Sequence, residues 1–76
     1  MSESSPTASL LSITVNGAAR QIAIGATVAD LLAELDRHPR AVAVEYNGLI
    51  LPRTEYGATS LDEGDRLEIV QFVQGG

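Results

Sequence analysis

The residues best suited to chemistry in this sequence are the last two, Gly75 and Gly76. A terminal α-carboxyl has a pKa of about 3.5, so at neutral pH it is a carboxylate and a poor electrophile. Conversion to an acyl-adenylate with ATP supplies a good leaving group, which a persulfide sulfur, a thiolate or an amine can then displace. Glycine has no Cβ to shield the carbonyl carbon. The pattern predicts that Gly76 is an acyl-transfer site at the end of a thin tail formed by Gln74 and Gly75.

The other chemistry-bearing residues give weaker signals. His38 is the only histidine and cysteine is absent, so this chain cannot form the usual zinc sites or nucleophilic dyads. Its position after a helical pattern predicts that it caps carbonyls or faces water. Asp62, Glu63 and Asp65 lack EF-hand spacing and are interpreted as a solvated turn. We therefore expect no metal site, no permanently bound cofactor and no catalytic residues of an enzyme in this chain.

Composition favours one small domain with protein partners. The chain has 76 residues, 45% of them hydrophobic, and a formal charge of -5 from ten acids, five arginines and no lysine. Nucleic acid and anionic membranes need clustered cations, so a basic protein surface is the better partner. No secretion signal or bilayer-spanning run is recognised, which predicts a cytoplasmic protein. We expect a disordered lead-in at residues 1–9, a domain at 10–73 and a flexible tail at 74–76.

A β-hairpin is predicted near the start of the domain. Apolar and polar residues alternate in "LLSITV" and again in "RQIAI", and Asn16-Gly17 between them is a turn signal. The pattern predicts a hairpin over residues 11–24 with a loop of about four residues and one apolar face.

The next segment predicts a single amphipathic helix at about residues 28–37. Thr27 is the predicted N-cap, Asp30 completes a capping box, and Pro39 is expected to stop the helix. The apolar stripe at i, i+3, i+4 and i+7 consists of Val28, Leu31, Leu32 and Leu35.

Three further strands complete the predicted fold. One covers residues 42–46, a short one lies at an edge because Pro52 cannot donate to a ladder, and the last follows a turn with Gly64 at positive φ. The order ββαβ(β)β predicts an α+β fold, a β-grasp or ubiquitin-like roll with a mixed four- to five-stranded sheet covered on one face by the helix. Val70 and Phe72 share the parity of polar residues on the last strand. We expect them on the open sheet face as partner-docking residues.

Several stretches in this order and spacing resemble the ThiS-type family, the sulfur carrier proteins of thiamine biosynthesis. The resemblance covers residues 11–76. The matching stretches are "VNG" at 15–17, "ATVADLL" at 26–32, "VAVEYNG" at 42–48, Pro52-Arg53, "LDEGDRLEIV" at 61–70 and the closing Gly75-Gly76.

This resemblance implies that the chain is a protein carrier, a substrate of partner enzymes rather than an enzyme, and that its tail is the functional site. Gly76 is then adenylated with ATP by a ubiquitin-activating-like adenylyltransferase and converted to a thiocarboxylate with sulfur from a sulfur-donating enzyme. Thiazole synthase would take that sulfur to build the thiazole ring. Gln74 departs from the family pattern, since many relatives have a third glycine there, and residues 1–9 exceed the usual core. Both departures could alter tail flexibility or partner fit.

Three alternatives remain open at this point. The sulfur carrier of molybdopterin synthesis resembles this chain in fold and in its Gly-Gly end, although its approach to the tail usually contains a proline that "VQFVQGG" lacks. A ubiquitin-like protein modifier would end in an isopeptide bond, and without lysine it could not form lysine-linked chains on itself. A β-grasp interaction module would bind through its sheet face and never use its terminus.

Overall fold

A computed structural model describes residues 10–72, which form a mixed five-stranded sheet and one α-helix. The predicted lead-in, the tail and Val73 lie outside these residues. The sheet order β2-β1-β5-β3-β4 has a parallel β1–β5 pair and antiparallel pairs elsewhere. This confirms the predicted β-grasp architecture. The elements are β1 (Leu10–Val15), β2 (Ala18–Ala23), α1 (Val28–Glu34), β3 (Val42–Tyr46), β4 (Leu49–Leu51) and β5 (Arg66–Gln71), with 3-10 turns at Pro39–Ala41 and Arg53–Glu55.

Both hairpins close through two-residue Asn-Gly turns. Asn16 and Asn47 each have φ of 51°, and the glycines that follow them have φ of 83° and 89°. Positive φ at both central residues is the type I′ turn, whose twist matches that of the paired strands. Val15 therefore pairs directly with Ala18 across the first turn. The predicted loop of about four residues is wrong because the turn needs only two.

The helix begins as predicted and covers one face of the sheet. Thr27 Oγ1 accepts from the Asp30 N–H at 3.2 Å, and Asp30 Oδ2 accepts from the Thr27 N–H at 2.9 Å. This reciprocal pair is the predicted capping box and satisfies two N–H groups that no helical carbonyl can reach. The apolar side chains of α1 pack against the inward-facing side chains of the sheet and form one core with them. Fully buried members of that core are Val28, Leu31, Leu32, Ile22, Val44 and Leu67, and Leu35 is partly buried against them.

The helix ends earlier than predicted. Its last residue is Glu34, not a residue near Pro39. Asp36 has φ of 60°, a left-handed conformation that cannot continue a right-handed helix. The N–H groups of Asp36 and Arg37 donate to carbonyls in the last turn at 3.1 and 2.9 Å, which is a Schellman arrangement. The chain is therefore turned away before Pro39 is reached.

The last part of the domain follows the predictions closely. β4 is the edge strand next to Pro52, and Gly64 has φ of 84° in the turn before β5. β5 is the central strand, with Leu67 buried and Val70 exposed. Its backbone pairing reaches Phe72, whose N–H donates to a carbonyl of the 3-10 turn before β3 at 2.8 Å.

Replacing Asp36 by glycine should raise the free energy of unfolding. A left-handed residue with a Cβ costs about 1–2 kcal/mol, and a carboxylate at the C-terminal end of a helix opposes the helix dipole. Glycine removes both costs but loses more backbone entropy on folding, so we expect a net gain of about 0.5–1 kcal/mol. Urea denaturation measures it. Asp36→Asn, which keeps the Cβ and removes the charge, should gain only about 0.3 kcal/mol. A glycine variant less stable than the wild type would contradict this account.

Candidate functional site

The predicted acyl-transfer site at Gly76, with Gly75 and Gln74, lies outside the described residues. The structure instead describes the strand that leads to it. An extended chain of four residues spans at most about 14 Å, which bounds the distance from Phe72 to Gly76. Any enzyme that acts on Gly76 must therefore place its active site close to the end of β5.

The two predicted docking residues are exposed where the sequence places them. Val70 is 61% and Phe72 51% exposed. Val70 pairs with Ala43 across the β3–β5 ladder on the face that α1 does not cover. Their position is as predicted, and their role in docking stays a prediction.

Two asparagine side chains hold β5 from both sides. Asn16 forms a two-way pair with the backbone of Ile69, accepting its N–H at 2.7 Å and donating to its carbonyl at 3.1 Å. Asn47 accepts from the Arg66 N–H at 2.8 Å and donates to a carboxylate oxygen of Asp65 at 3.1 Å. Each asparagine side chain thus adds a hydrogen bond to the backbone of β5, beside the bonds of the strand ladder. The strand that leads to the tail is fixed at its start and at its middle.

Asp65 is the buried polar residue of this region. It is only 8% exposed and accepts from the Tyr46 hydroxyl at 2.5 Å and the Asp62 N–H at 2.7 Å, as well as from Asn47. The solvated-turn interpretation is therefore wrong for Asp65, although Asp62 and Glu63 are exposed. Burial alone would raise the pKa of the Asp65 carboxyl, but the three hydrogen bonds outweigh it and lower that pKa.

The same contact keeps Tyr46 protonated. Its hydrogen bond to Asp65, together with burial and the nearby negative charges of Asp65 and Asp62, raises the pKa of Tyr46 to about 12. A tyrosine in this state is a hydrogen-bond donor at all physiological pH values. Tyr46 therefore ties β3 to the start of β5 and is not poised as an acid–base catalyst.

His38 is exposed and has a structural role in the turn that follows α1. Its Nδ1 accepts from the Arg40 N–H at 3.0 Å, which makes it the N-cap of the 3-10 turn. Of the two predicted roles, facing water is confirmed because His38 is exposed, and capping carbonyls is wrong because the partner of its Nδ1 is a donor. Within residues 10–72 no three His, Asp or Glu side chains are grouped to hold a metal ion, and no helix there could cross a membrane.

Sequence reasoning identified Asn16 and Asn47 as turn residues and missed their side-chain contacts. A type I′ turn accepts Asn, Asp or Gly at its first central position. Only asparagine can both donate and accept there. Its occurrence in both turns was the available signal that these side chains bind backbone.

Comparison with known proteins supports the β-grasp fold described above. The model of the ThiS family matches residues 13–76. The sulfur carrier protein ThiS of Escherichia coli is 33% identical, and the match covers 87% of this chain and 100% of that protein. A thiazole synthase of Paramagnetospirillum magneticum is 41% identical over 87% of this chain, which spans only 20% of that protein's length. The crystal structure of the thiamine biosynthesis protein ThiS from Geobacter metallireducens superposes with a TM-score of 0.74 at 35% identity, covering 87% of this chain and 100% of that one.

Replacing Asp65 by asparagine should destabilise the domain in a pH-dependent way. At pH 7 we expect a loss of about 1–3 kcal/mol in the free energy of unfolding, because three donors lose their charged acceptor. The folded pKa of Asp65 lies below its unfolded value of 3.8, so its contribution is complete above that value. It is lost as pH falls through the folded pKa. Urea denaturation of both proteins from pH 7 downward should show the difference shrinking in acid.

Asp62→Asn is the matched control, since that side chain is exposed. It should change stability by no more than about 0.5 kcal/mol. A second readout is the tyrosinate absorbance of Tyr46, whose pKa should fall from about 12 towards 10 in Asp65→Asn. Equal losses in the two variants, or an unchanged Tyr46 titration, would contradict the account.

Proposed function

This chain belongs to the ThiS family, and we propose that it carries sulfur for thiamine biosynthesis on the carboxylate of Gly76. The observation that carries the proposal is the family match, which extends through residue 76 and so includes the Gly-Gly ending. The Escherichia coli relative that matches over its whole length is named a sulfur carrier protein.

The proposed chemistry takes place on the acyl carbon of Gly76. A carboxylate oxygen attacks the α-phosphorus of ATP, and pyrophosphate leaves to give an acyl-adenylate. A hydrosulfide equivalent then attacks the acyl carbon, the bond to AMP breaks, and a thiocarboxylate forms. No oxidation or reduction is needed when sulfur arrives as hydrosulfide. A persulfide donor would first give an acyl disulfide, which a thiol must then reduce.

The described domain supports this role by anchoring the strand that leads to the tail. β5 pairs with β1 at Arg66 and Leu67 and with β3 from Leu67 to Gln71, and Asn16 and Asn47 bind its backbone directly. A partner enzyme that binds the domain therefore also fixes the origin of the tail to within the reach of four residues. Positioning of this kind raises the local concentration of the Gly76 carboxylate at the partner's active site.

We propose three protein partners for this cycle. A ubiquitin-activating-like adenylyltransferase supplies the adenylation, a sulfur-donating enzyme supplies the sulfur, and thiazole synthase receives it. Support for the last comes from the Paramagnetospirillum magneticum relative, in which a segment similar to this chain makes up a fifth of a protein named thiazole synthase. Carrier and synthase sequences in one chain indicate that the two act close together.

Removal of Gly76 should abolish sulfur loading and leave the fold intact. The protein is incubated with the adenylyltransferase, ATP and a sulfur source, and its intact mass is recorded. The wild type should exchange one oxygen for sulfur, and the shortened chain should not. The core of the described residues lies between Ile13 and Ile69, so the thermal midpoint should change by less than about 2 °C.

Gly76→Ala is the control that keeps a terminal carboxylate and adds a Cβ beside the carbonyl. It should load sulfur more slowly than the wild type, because the side chain hinders attack on the acyl carbon. Absence of exchange in the wild type, under conditions where the Escherichia coli carrier reacts, would overturn the proposed function. A large fall in midpoint on removing Gly76 would show a structural role for the tail.

The loaded protein should support thiazole formation by a reconstituted thiazole synthase. Product is measured by chromatography with the unloaded carboxylate form as the control, which should give none. The same thiocarboxylate is offered to molybdopterin synthase in parallel. Turnover only with the latter would replace the thiamine assignment by the molybdopterin one.

A further inference from the structure

The chain has five arginines and no lysine, although lysine is among the commonest residues in proteins. The two cations differ in their chemistry. A lysine amine loses its proton with a pKa of about 10.4 and is then a nucleophile, whereas a guanidinium is not deprotonated in proteins. An arginine close to an activated acyl carbon can therefore donate hydrogen bonds without attacking that carbon.

One arginine contacts the strand that leads to the tail. Arg37 is exposed, and its Nη1 donates to Oε1 of Gln71, the last residue of β5, at 2.5 Å. The backbone of Arg37 is itself held, because its N–H donates to the Leu32 carbonyl at 2.9 Å in the turn that ends α1. Arg37 also lines a cavity of about 270 Å³ together with Leu35 and Ile69. The guanidinium thus links the end of the helix to the end of the strand.

This contact lies on the half of β5 that has fewer strand partners. Pairing with β1 ends at Leu67, whereas pairing with β3 continues to Gln71. Over this second half, Asn16 binds the backbone of Ile69, and Arg37 binds the side chain of Gln71. The residue from which the chain continues towards Gly76 is therefore held by a cation.

A lysine at position 37 would bring an amine within reach of Gly76. The side chain of residue 37 meets Gln71, and the five residues from there to Gly76 span at most about 18 Å. A connection this short gives the two groups an effective concentration on the order of millimolar. The amine nitrogen would attack the acyl carbon, the bond to AMP would break, and the nitrogen would lose its proton to water. The product is an internal amide that can no longer take up sulfur.

We propose that Arg37 is a positioning residue for the tail, whose guanidinium holds Gln71 and cannot capture the activated Gly76. This rests on the proposed function, because only an activated acyl carbon reacts with an amine. Lysine would supply the same charge and a hydrogen-bond donor, but it would divert the carrier into the internal amide. Arginine, and not only a positive charge, is therefore the required side chain at position 37.

The first test uses the full chain with Gly76 prepared as a thioester of a small thiol, which stands in for the acyl-adenylate and needs no partner enzyme. At about pH 9, about 4% of lysine amines are neutral. With protein at about 0.1 mM, Arg37→Lys should form an internal amide one water lighter than the free acid. Its rate should exceed that of adducts between molecules about tenfold and should not depend on protein concentration. Intact mass and peptide mapping measure both products.

Arg66→Lys is the matched control, since position 66 lies six residues, or about 20 Å of strand, before Phe72. It places the same amine on the same strand beyond easy reach of Gly76. This variant should give only adducts between molecules, and their yield should fall on dilution. Equal internal amide in Arg37→Lys and Arg66→Lys, or none in either, overturns the inference.

The second test measures the hold on Gln71 in carrier-dependent ATP–pyrophosphate exchange by the adenylyltransferase. Arg37→Met keeps an apolar stem and removes the donor, so KM should rise about threefold with kcat unchanged. Arg37→Lys should restore most of the wild-type KM, because it again offers a donor to Gln71. An unchanged KM in Arg37→Met, or no rescue by Arg37→Lys, contradicts the positioning role. Internal amide in the thioester test without sulfur loading of the wild type overturns the proposed function alone.

Discussion

The insertion of β5 between β1 and β3 is the constraint on which the rest of the molecule depends. β5 is the last element of residues 10–72 and the middle strand of the sheet. The β1–β2 and β3–β4 hairpins have no strand pairing with each other and are joined into one sheet only through β5. A two-stranded hairpin alone is marginally stable in water. The core between α1 and the sheet therefore closes only when β5 has docked.

The polar contacts of the domain are concentrated where they secure that strand. Asn16 and Asp65 come from segments far apart in the sequence, yet both act on or beside β5. A buried carboxylate without partners would be costly, but Asp65 has three donors, so its charge becomes a fixed point for the turn before β5. A small domain with a modest core gains most from contacts that hold its central strand. The first half of β5 is thereby paired on both sides, and its second half is held by β3 and by Asn16.

How much of this could be predicted from the sequence depended on the range of the interactions involved. The capping box at Thr27, the edge position of β4 and the outward parity of Val70 follow from local spacing, and all three are confirmed. The helix end was wrong because a left-handed Asp36 leaves little trace in a pattern of apolar residues. The burial of Asp65 depends on Tyr46, 19 residues away, and the role of Asn16 depends on Ile69, 53 residues away. Such contacts exist only once the sheet order is known.

The candidate site, too, could be predicted from the sequence only where neighbouring residues are enough to define it. The proposed chemistry of Gly76 follows from residue type, whereas its neighbours in a working complex belong to another protein. The open sheet face lies between these two cases. Alternation predicts that Glu45 and Glu68 point outward, but only the register of β3 against β5 makes them direct neighbours. Two like charges at one cross-strand position are unfavourable for a domain that acts alone. Arg66 lies two residues before Glu68 on the same face, so the balance of charge there is set by three residues that only the strand register brings together.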